Sequence, residues 1–73
     1  MSQHIFAICV QNQDYEVSLE RRKLYLVLPD AVAEEHDQIR IVDESGEDYL
    51  YPKDYFVVID LPEVIERKVL NAA

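Results

Sequence analysis

The sequence predicts a mainly β protein: a small closed β-barrel of about five strands followed by a short C-terminal α-helix. Three observations favour this fold. Several short runs combine β-branched and aromatic residues, the single glycine, Gly46, stands where a tight hairpin requires one, and a Tyr-Pro-x-x-Tyr-Phe run occupies residues 51–56. A chain of 73 residues has room for one domain. We assign residues 1–60 to the barrel and residues 61–73 to the helix.

Apolar runs predict the strands, and polar or proline-containing runs predict the breaks between them. Pro29 ends the second strand because proline lacks the donor that a central ladder requires. Asp30 could cap a short helical turn, but this run is too short to be stable alone, so we expect an ordered loop. The predicted elements are a strand at 4–11, a loop at 11–22, a strand at 23–28, a loop at 30–37, a strand at 38–43, a 3₁₀-like turn at 52–54 and a strand at 56–60.

Two registers fit the hairpin around Gly46. A three-residue loop that ends at Gly46 sets Ile41 opposite Tyr49. A two-residue loop sets Ile41 opposite Leu50 instead. Because a slip of one residue turns every side chain to the other face, the register decides which tyrosines are buried. The sequence leaves both open, and we favour the three-residue loop because a left-handed glycine after Glu-Ser is typical of it.

The C-terminal run predicts a helix whose role the sequence leaves open. Pro62 fits the first turn, where its missing donor costs nothing. Leu61, Ile65 and Val69 share one face of that helix. We expect this face to pack on the barrel or to serve a partner.

Charge and composition exclude several classes of protein. Seven basic against fifteen acidic residues give a net charge of −8. The electrostatic field of this negative charge repels a phosphate backbone, so we expect no nucleic-acid binding. The charge serves solubility alone or also attracts a basic partner. Cys9 is the single cysteine, and no apolar run reaches the roughly 20 residues that span a bilayer. We therefore expect a cytoplasmic protein without a membrane segment.

The residues that could carry chemistry fit structural roles better. Cys9 lies in an apolar strand, where burial raises the pKa of a thiol and makes it inert. The acidic hairpin at 43–48 lacks the alternating ligands of a calcium loop, so we interpret it as solvated turn charge. The acidic run at 34–37 holds one histidine, with no second nearby, and one glycine cannot make a phosphate loop. We expect no enzyme, no cofactor and no metal.

The order of these elements resembles the Src homology 3 (SH3)-like barrel. The run from Pro52 to Phe56 is similar to the Pro-x-x-Tyr-aliphatic segment that precedes the last strand of that fold. The runs SLERRKLYLVLPD and IRIVDESGEDYLYPKDYF also resemble short uncharacterised bacterial and phage proteins, and Arg22 stands where their pattern has a glycine. The resemblance implies a fold and carries no activity.

SH3 domains bind polyproline segments in an aromatic groove. By this resemblance Pro52 and Tyr55 would lie in the groove, and Tyr15, in the long loop, would line it. The chain has no tryptophan, on which such a groove normally depends, so we do not expect a polyproline ligand. Among the five tyrosines we expect Tyr15 and Tyr55 to be exposed and most of the others to fill the core.

Size, tyrosine content, acidity and the tail helix together favour a non-catalytic module that docks on another protein, with Tyr15, Pro52 and Tyr55 as its binding residues. The alternative is a regulator directed at nucleic acid, or an acidic mimic of nucleic acid that binds a basic protein. The first of these would need Arg21, Arg22, Lys23 and Arg40 to cluster. Free strand edges in an open barrel would also allow a homo-oligomer.

Overall fold

The structure is a computed structural model that describes residues 4–72. It is mainly β, with a C-terminal α-helix, as predicted. The elements in chain order are β1 (Ile5–Cys9), β2 (Leu24–Leu28), α1 (Ala31–Glu35), β3 (Gln38–Val42), β4 (Asp48–Pro52), a 3₁₀ helix (Lys53–Tyr55), β5 (Phe56–Ile59) and α2 (Glu63–Leu70). The segment between β1 and β2 contains no helix or strand, so the predicted long loop is confirmed.

The five strands form one antiparallel sheet in the order β4-β3-β2-β1-β5. The last strand therefore returns to pair with the first, across Cys9 and Phe56 at one end and Phe6 and Ile59 at the other. Within residues 4–72, β4 and β5 are not hydrogen-bonded to each other. The sheet is open, whereas the sequence led us to expect a closed barrel. The 3₁₀ helix between β4 and β5 carries the chain away from β4, and β5 pairs with β1 instead.

The hairpin between β3 and β4 has the three-residue loop. Ile41 pairs with Tyr49, and Ile39 pairs with Tyr51. Gly46 has a φ of 84°, which is the left-handed conformation that glycine adopts without a steric penalty. This confirms the register that we favoured and places the Tyr51 ring on the core face.

One face of the sheet carries the core. Alternate residues of each strand point to this face, as the period of two in a strand requires. Leu19, from the long loop, is 1% exposed and closes the core from outside the sheet. The buried cluster consists of Ala7, Cys9, Leu19, Tyr25, Val27, Ile39, Ile41, Tyr51 and Phe56.

Helix α1 replaces the ordered loop that we predicted for this run. The Asp30 carboxylate accepts a hydrogen bond from the Ala33 amide at 3.0 Å, which satisfies one donor of the first turn. Arg40 on β3 donates to the other carboxylate oxygen at 2.9 Å. Ala33 is buried. The prediction was wrong because these tertiary contacts stabilise a helix that would be too short to form alone.

Helix α2 runs from Glu63 to Leu70, so Pro62 is its N-cap and not a first-turn residue as predicted, and the helix has no buried residue. Leu61 and Val69 are half-buried, and Ile65 is 44% exposed. The His4 ring is hydrogen-bonded to Glu66 at 2.9 Å and so links the helix to the segment before β1. The apolar face of α2 therefore remains partly uncovered.

Arg22 adopts a conformation that favours glycine. Its φ is 68°, and its amide donates to the Cys9 carbonyl at 2.7 Å, at the turn that leads into β2. A left-handed conformation costs a residue with a Cβ roughly 1–2 kcal/mol. This is the position at which the related pattern has a glycine.

We expect Arg22→Gly to be more stable than Arg21→Gly by about 1 kcal/mol, because only the first substitution relieves a positive φ. Both variants lose one arginine and gain one flexible residue, so each controls for the other. Urea unfolding at neutral pH measures the difference. Equal stabilities would contradict the strained turn.

Candidate functional site

Three tyrosines from different parts of the chain meet at one end of the core. The Tyr15 ring contacts the Tyr51 ring edge-on, with ring centres 5.0 Å apart. Tyr15 also meets Tyr55 edge-on at 5.9 Å. Edge-to-face geometry at such distances is favourable for aromatic pairs. We call Tyr15 and Tyr55, together with Pro52 directly before the 3₁₀ helix, the aromatic surface.

Hydrogen bonds hold the long loop, which carries Tyr15, in place beside Tyr55. The Tyr55 hydroxyl donates to the Gln13 carbonyl at 3.2 Å. The Asn12 side chain donates to the Leu19 carbonyl at 3.1 Å and so closes the loop on itself. The Val10 amide donates to the Tyr55 carbonyl at 2.8 Å. Tyr15 and Tyr55 are therefore positioned by backbone contacts on both sides.

The predicted binding residues come together only in part. Tyr15 and Tyr55 are in contact, as a shared site requires, but both are half-buried against the core and not exposed as we predicted. Pro52 is half-buried at the end of β4, where it pairs with Gln38 and precedes the 3₁₀ helix. Tyr49, on β4, is the exposed tyrosine, at 50%.

Acidic side chains flank Tyr15 in the long loop. Asp14 and Glu16 are its sequence neighbours, and both are exposed. Neither makes an ion pair within residues 4–72. Their charge is therefore available to a basic group placed beside the tyrosines.

A carboxylate beneath the aromatic surface was missed by the sequence analysis. Asp43 is 6% exposed, although we predicted solvated charge for the whole hairpin. The Tyr51 hydroxyl donates to Asp43 at 2.6 Å and lies 3.1 Å from the Ser18 hydroxyl. Ser45 donates to the same carboxylate through its amide at 2.9 Å. Tyr51 reaches this position only if the hairpin has the three-residue loop. That register was therefore the one feature of the sequence that could have indicated the burial of Asp43.

Asp43 is ionised in this setting because its donors outweigh its burial. Burial opposes the charged form, but the hydrogen bonds from Ser45 and Tyr51 together hold the pKa of Asp43 below its ordinary value. Burial and the adjacent Asp43 carboxylate raise the pKa of Tyr51. Tyr51 therefore remains a donor at neutral pH and links β4 to the hairpin loop.

A second tyrosine–carboxylate pair involves Tyr25 on β2, which is separated from β4 by β3. The Tyr25 hydroxyl donates to Glu44 at 2.6 Å and accepts from the Glu20 amide at 2.7 Å. Lys23 forms an ion pair with Glu44 at 2.7 Å. Hydrogen bonds from Lys23 and Tyr25 lower the pKa of Glu44. Glu44 is thus a structural acceptor as well as a surface charge.

Arg40 lies apart from the basic run of residues 21–23. Lys23 is paired with Glu44, and Arg40 is paired with Asp30 at 2.9 Å and Asp48 at 2.8 Å. Arg40 pairs in register with Leu28. Lys23 directly precedes β2, at the end of that strand opposite to Leu28. At the rise of a β-strand, Lys23 is about 16 Å from Leu28.

The described part of the chain shows no metal-binding cluster. Within residues 4–72 no three His, Cys, Asp or Glu side chains are placed to hold a metal ion. Cys9 is fully buried, and its thiol donates to the Gln11 carbonyl at 3.2 Å. Burial raises the pKa of this thiol, as predicted.

The chain matches no protein-family model, no curated protein and no solved structure. In residues 4–72, neither helix has the length and apolar content needed to cross a membrane. Interpretation of the site therefore depends on its own geometry.

We expect Tyr51→Phe to lower the free energy of unfolding by about 1–3 kcal/mol, because Asp43 loses a donor while it stays buried. Tyr49→Phe is the matched control: it removes a hydroxyl that is hydrogen-bonded to exposed Glu47, and should cost less than about 0.5 kcal/mol. Urea unfolding of both variants checks the difference. Equal effects would contradict a structural role for the Asp43 contact.

Acid should destabilise the protein through Asp43 and Glu44. A carboxyl whose pKa is lower in the folded state adds stability above its unfolded pKa, and this stability is lost as the pH falls through the folded pKa. We expect the free energy of unfolding to be nearly constant around neutral pH and to decrease below about pH 4. Asp43→Asn should flatten this decrease, whereas Asp60→Asn, at an exposed aspartate, should not.

Proposed function

We propose that this protein is a non-catalytic interaction module that docks on a basic segment of another protein through its aromatic surface. The supporting observation is the contact between Tyr15 and Tyr55, with free acidic side chains beside Tyr15. Tyrosine offers a large contact area with a polar tip and is enriched at interfaces.

The tyrosine rings lose little freedom on binding because they are already positioned. Tyr55 is held through its hydroxyl and its carbonyl, and Tyr15 is held between two rings. A surface that is ordered before binding avoids part of the entropy cost of association. The half-buried state of both rings, which differs from our prediction, therefore supports docking by a preformed surface.

The charge of the protein favours a basic partner. The net charge of −8 raises the association rate of a positively charged protein and lowers that of a negatively charged one. The exposed carboxylates of Asp14 and Glu16 provide local partners for lysine or arginine. An acidic mimic of nucleic acid would be one form of this module.

We also propose that the fold is an SH3-like arrangement. The strand order, the long first loop and the 3₁₀ helix before β5 support this proposal. In such an arrangement the long loop and the 3₁₀ helix border one binding surface, and Tyr15 and Tyr55 lie on these two segments. The proposal concerns architecture and implies no particular ligand.

Combined Tyr15→Ala and Tyr55→Ala substitutions should reduce recovery of the partner from host lysate by about tenfold or more, since buried tyrosines dominate interface energies. The measurement is quantitative mass spectrometry on material retained by the immobilised protein. Elution by salt should precede elution by detergent if the partner is basic.

Tyr49→Ala is the matched control, because Tyr49 is an exposed tyrosine outside the aromatic surface. It should retain the partner, and circular dichroism should show that both variants are folded. A partner held equally by wild type and by the double variant would contradict the proposed surface. Salt-sensitive retention of nucleic acid would favour the alternative function.

A further inference from the structure

A cavity lies at one end of the core face, beside helix α1. Its volume is about 190 Å³. Most of its lining comes from β1, β2, α1 and β3. Lys53, directly after β4, and Val58, on β5, complete the lining, so the cavity adjoins the end strand β5. Val27 and Ile39, both 8% exposed, connect it to the core.

Two apolar side chains on the core face are partly exposed beside this cavity. Val58 pairs with Ala7, and Ile5 lies two residues before Ala7, so all three point to the core face. Ala7 is fully buried, but Val58 is 55% exposed and Ile5 is 37% exposed. Covering apolar surface contributes roughly 25 cal/mol per Å², so an apolar group placed here would be bound favourably.

Strand β5 also has a free edge next to the cavity. In the described part of the chain it is hydrogen-bonded to β1 alone. Val57 and Val58 point to opposite faces, and both are more than half exposed, although Phe56 at the start of the strand is buried in the core. An extended segment can add to such an edge as a further strand, with alternate side chains in adjacent pockets.

Acidic residues stand at both ends of β5. Asp54 precedes the strand and Asp60 follows it, and both are exposed. Neither makes an ion pair within residues 4–72. Of the two cations on the cavity rim, Arg40 is already neutralised by two carboxylates, which leaves Lys53. The edge is therefore apolar in its middle, with a carboxylate before it and another after it, and Lys53 beside the first.

We propose that the free edge of β5 and the adjoining cavity bind an extended segment of a partner protein that has an aliphatic centre and lysine or arginine at both ends. The segment pairs with β5 as a sixth strand. One aliphatic side chain enters the cavity beside Val58, and the basic ends meet Asp54 and Asp60. This is a second docking surface, and it does not depend on the aromatic surface.

The probe is a fluorescein-labelled peptide, Lys-Lys-Val-Ile-Val-Lys-Lys, titrated with the full chain and followed by fluorescence anisotropy. We expect saturable binding, with amide chemical-shift changes centred on Val57 and Val58. The same peptide with glutamate in place of every lysine should bind at least about tenfold more weakly. Absence of binding at low salt, or equal binding of the two peptides, would overturn the proposal.

Val58→Lys places a cation in the cavity and should weaken peptide binding by about tenfold or more. Val17→Lys is the matched control, since it makes the same change at a loop valine that is 98% exposed. Asp60→Lys, at an exposed position, should also weaken binding and provides the test if Val58→Lys does not fold. Unchanged binding by the folded Val58→Lys and Asp60→Lys variants would overturn the assignment.

The Tyr15→Ala and Tyr55→Ala double variant separates the two surfaces. We expect it to bind the peptide as wild type does, so that loss of the aromatic surface and loss of the β5 edge give different results. Shift changes confined to Tyr15 and Tyr55 would overturn the edge site. A concentration-dependent dimer in sedimentation velocity that disappears in Val58→Lys would assign the edge to a second copy of the chain.

Discussion

The hydrogen bond from Tyr51 to buried Asp43 is the contact on which the rest of the structure depends. It joins the last core position of β4 to the loop that precedes that strand, and so holds the hairpin in one register. A slip of one residue would remove the Tyr51 ring from the core and leave the buried Asp43 carboxylate with one donor fewer. The long loop joins the same network through Ser18 and through the Tyr15 ring.

The two tyrosine–carboxylate pairs allow a very small core to hold an irregular loop in place. A chain of this size buries only about 60% of the surface that its unfolded form exposes. Leu19 supplies the apolar contact of the loop, and Tyr25 and Tyr51 supply polar contacts at the edge of the core. The Tyr25 hydroxyl accepts from the Glu20 amide, and the Tyr51 hydroxyl is hydrogen-bonded to the Ser18 hydroxyl. These two contacts fix the long loop, which contains no helix or strand.

The same architecture leaves two kinds of surface. At one end of the sheet the long loop covers the core, and its tyrosines form an ordered aromatic surface. At the other end the sheet stays open, and apolar side chains of the core face remain uncovered around Ile5 and Val58. A preformed aromatic surface and a free strand edge bind by different physical means, the first by ring contacts and the second by main-chain hydrogen bonds.

Local sequence determined the strands, the left-handed glycine of the hairpin and the start of the C-terminal helix, because each depends on residues within a few positions. Tertiary structure decided the rest. Helix α1 forms because Arg40 and buried Ala33 stabilise it, and Asp43 is buried because Tyr51 and Ser45 satisfy its charge. From the sequence we expected Tyr15 and Tyr55 to belong to one binding site. Their burial and the open gap between β4 and β5 depend instead on contacts between residues distant in the chain. No local pattern encodes those contacts, because they arise only when the sheet and the long loop pack together.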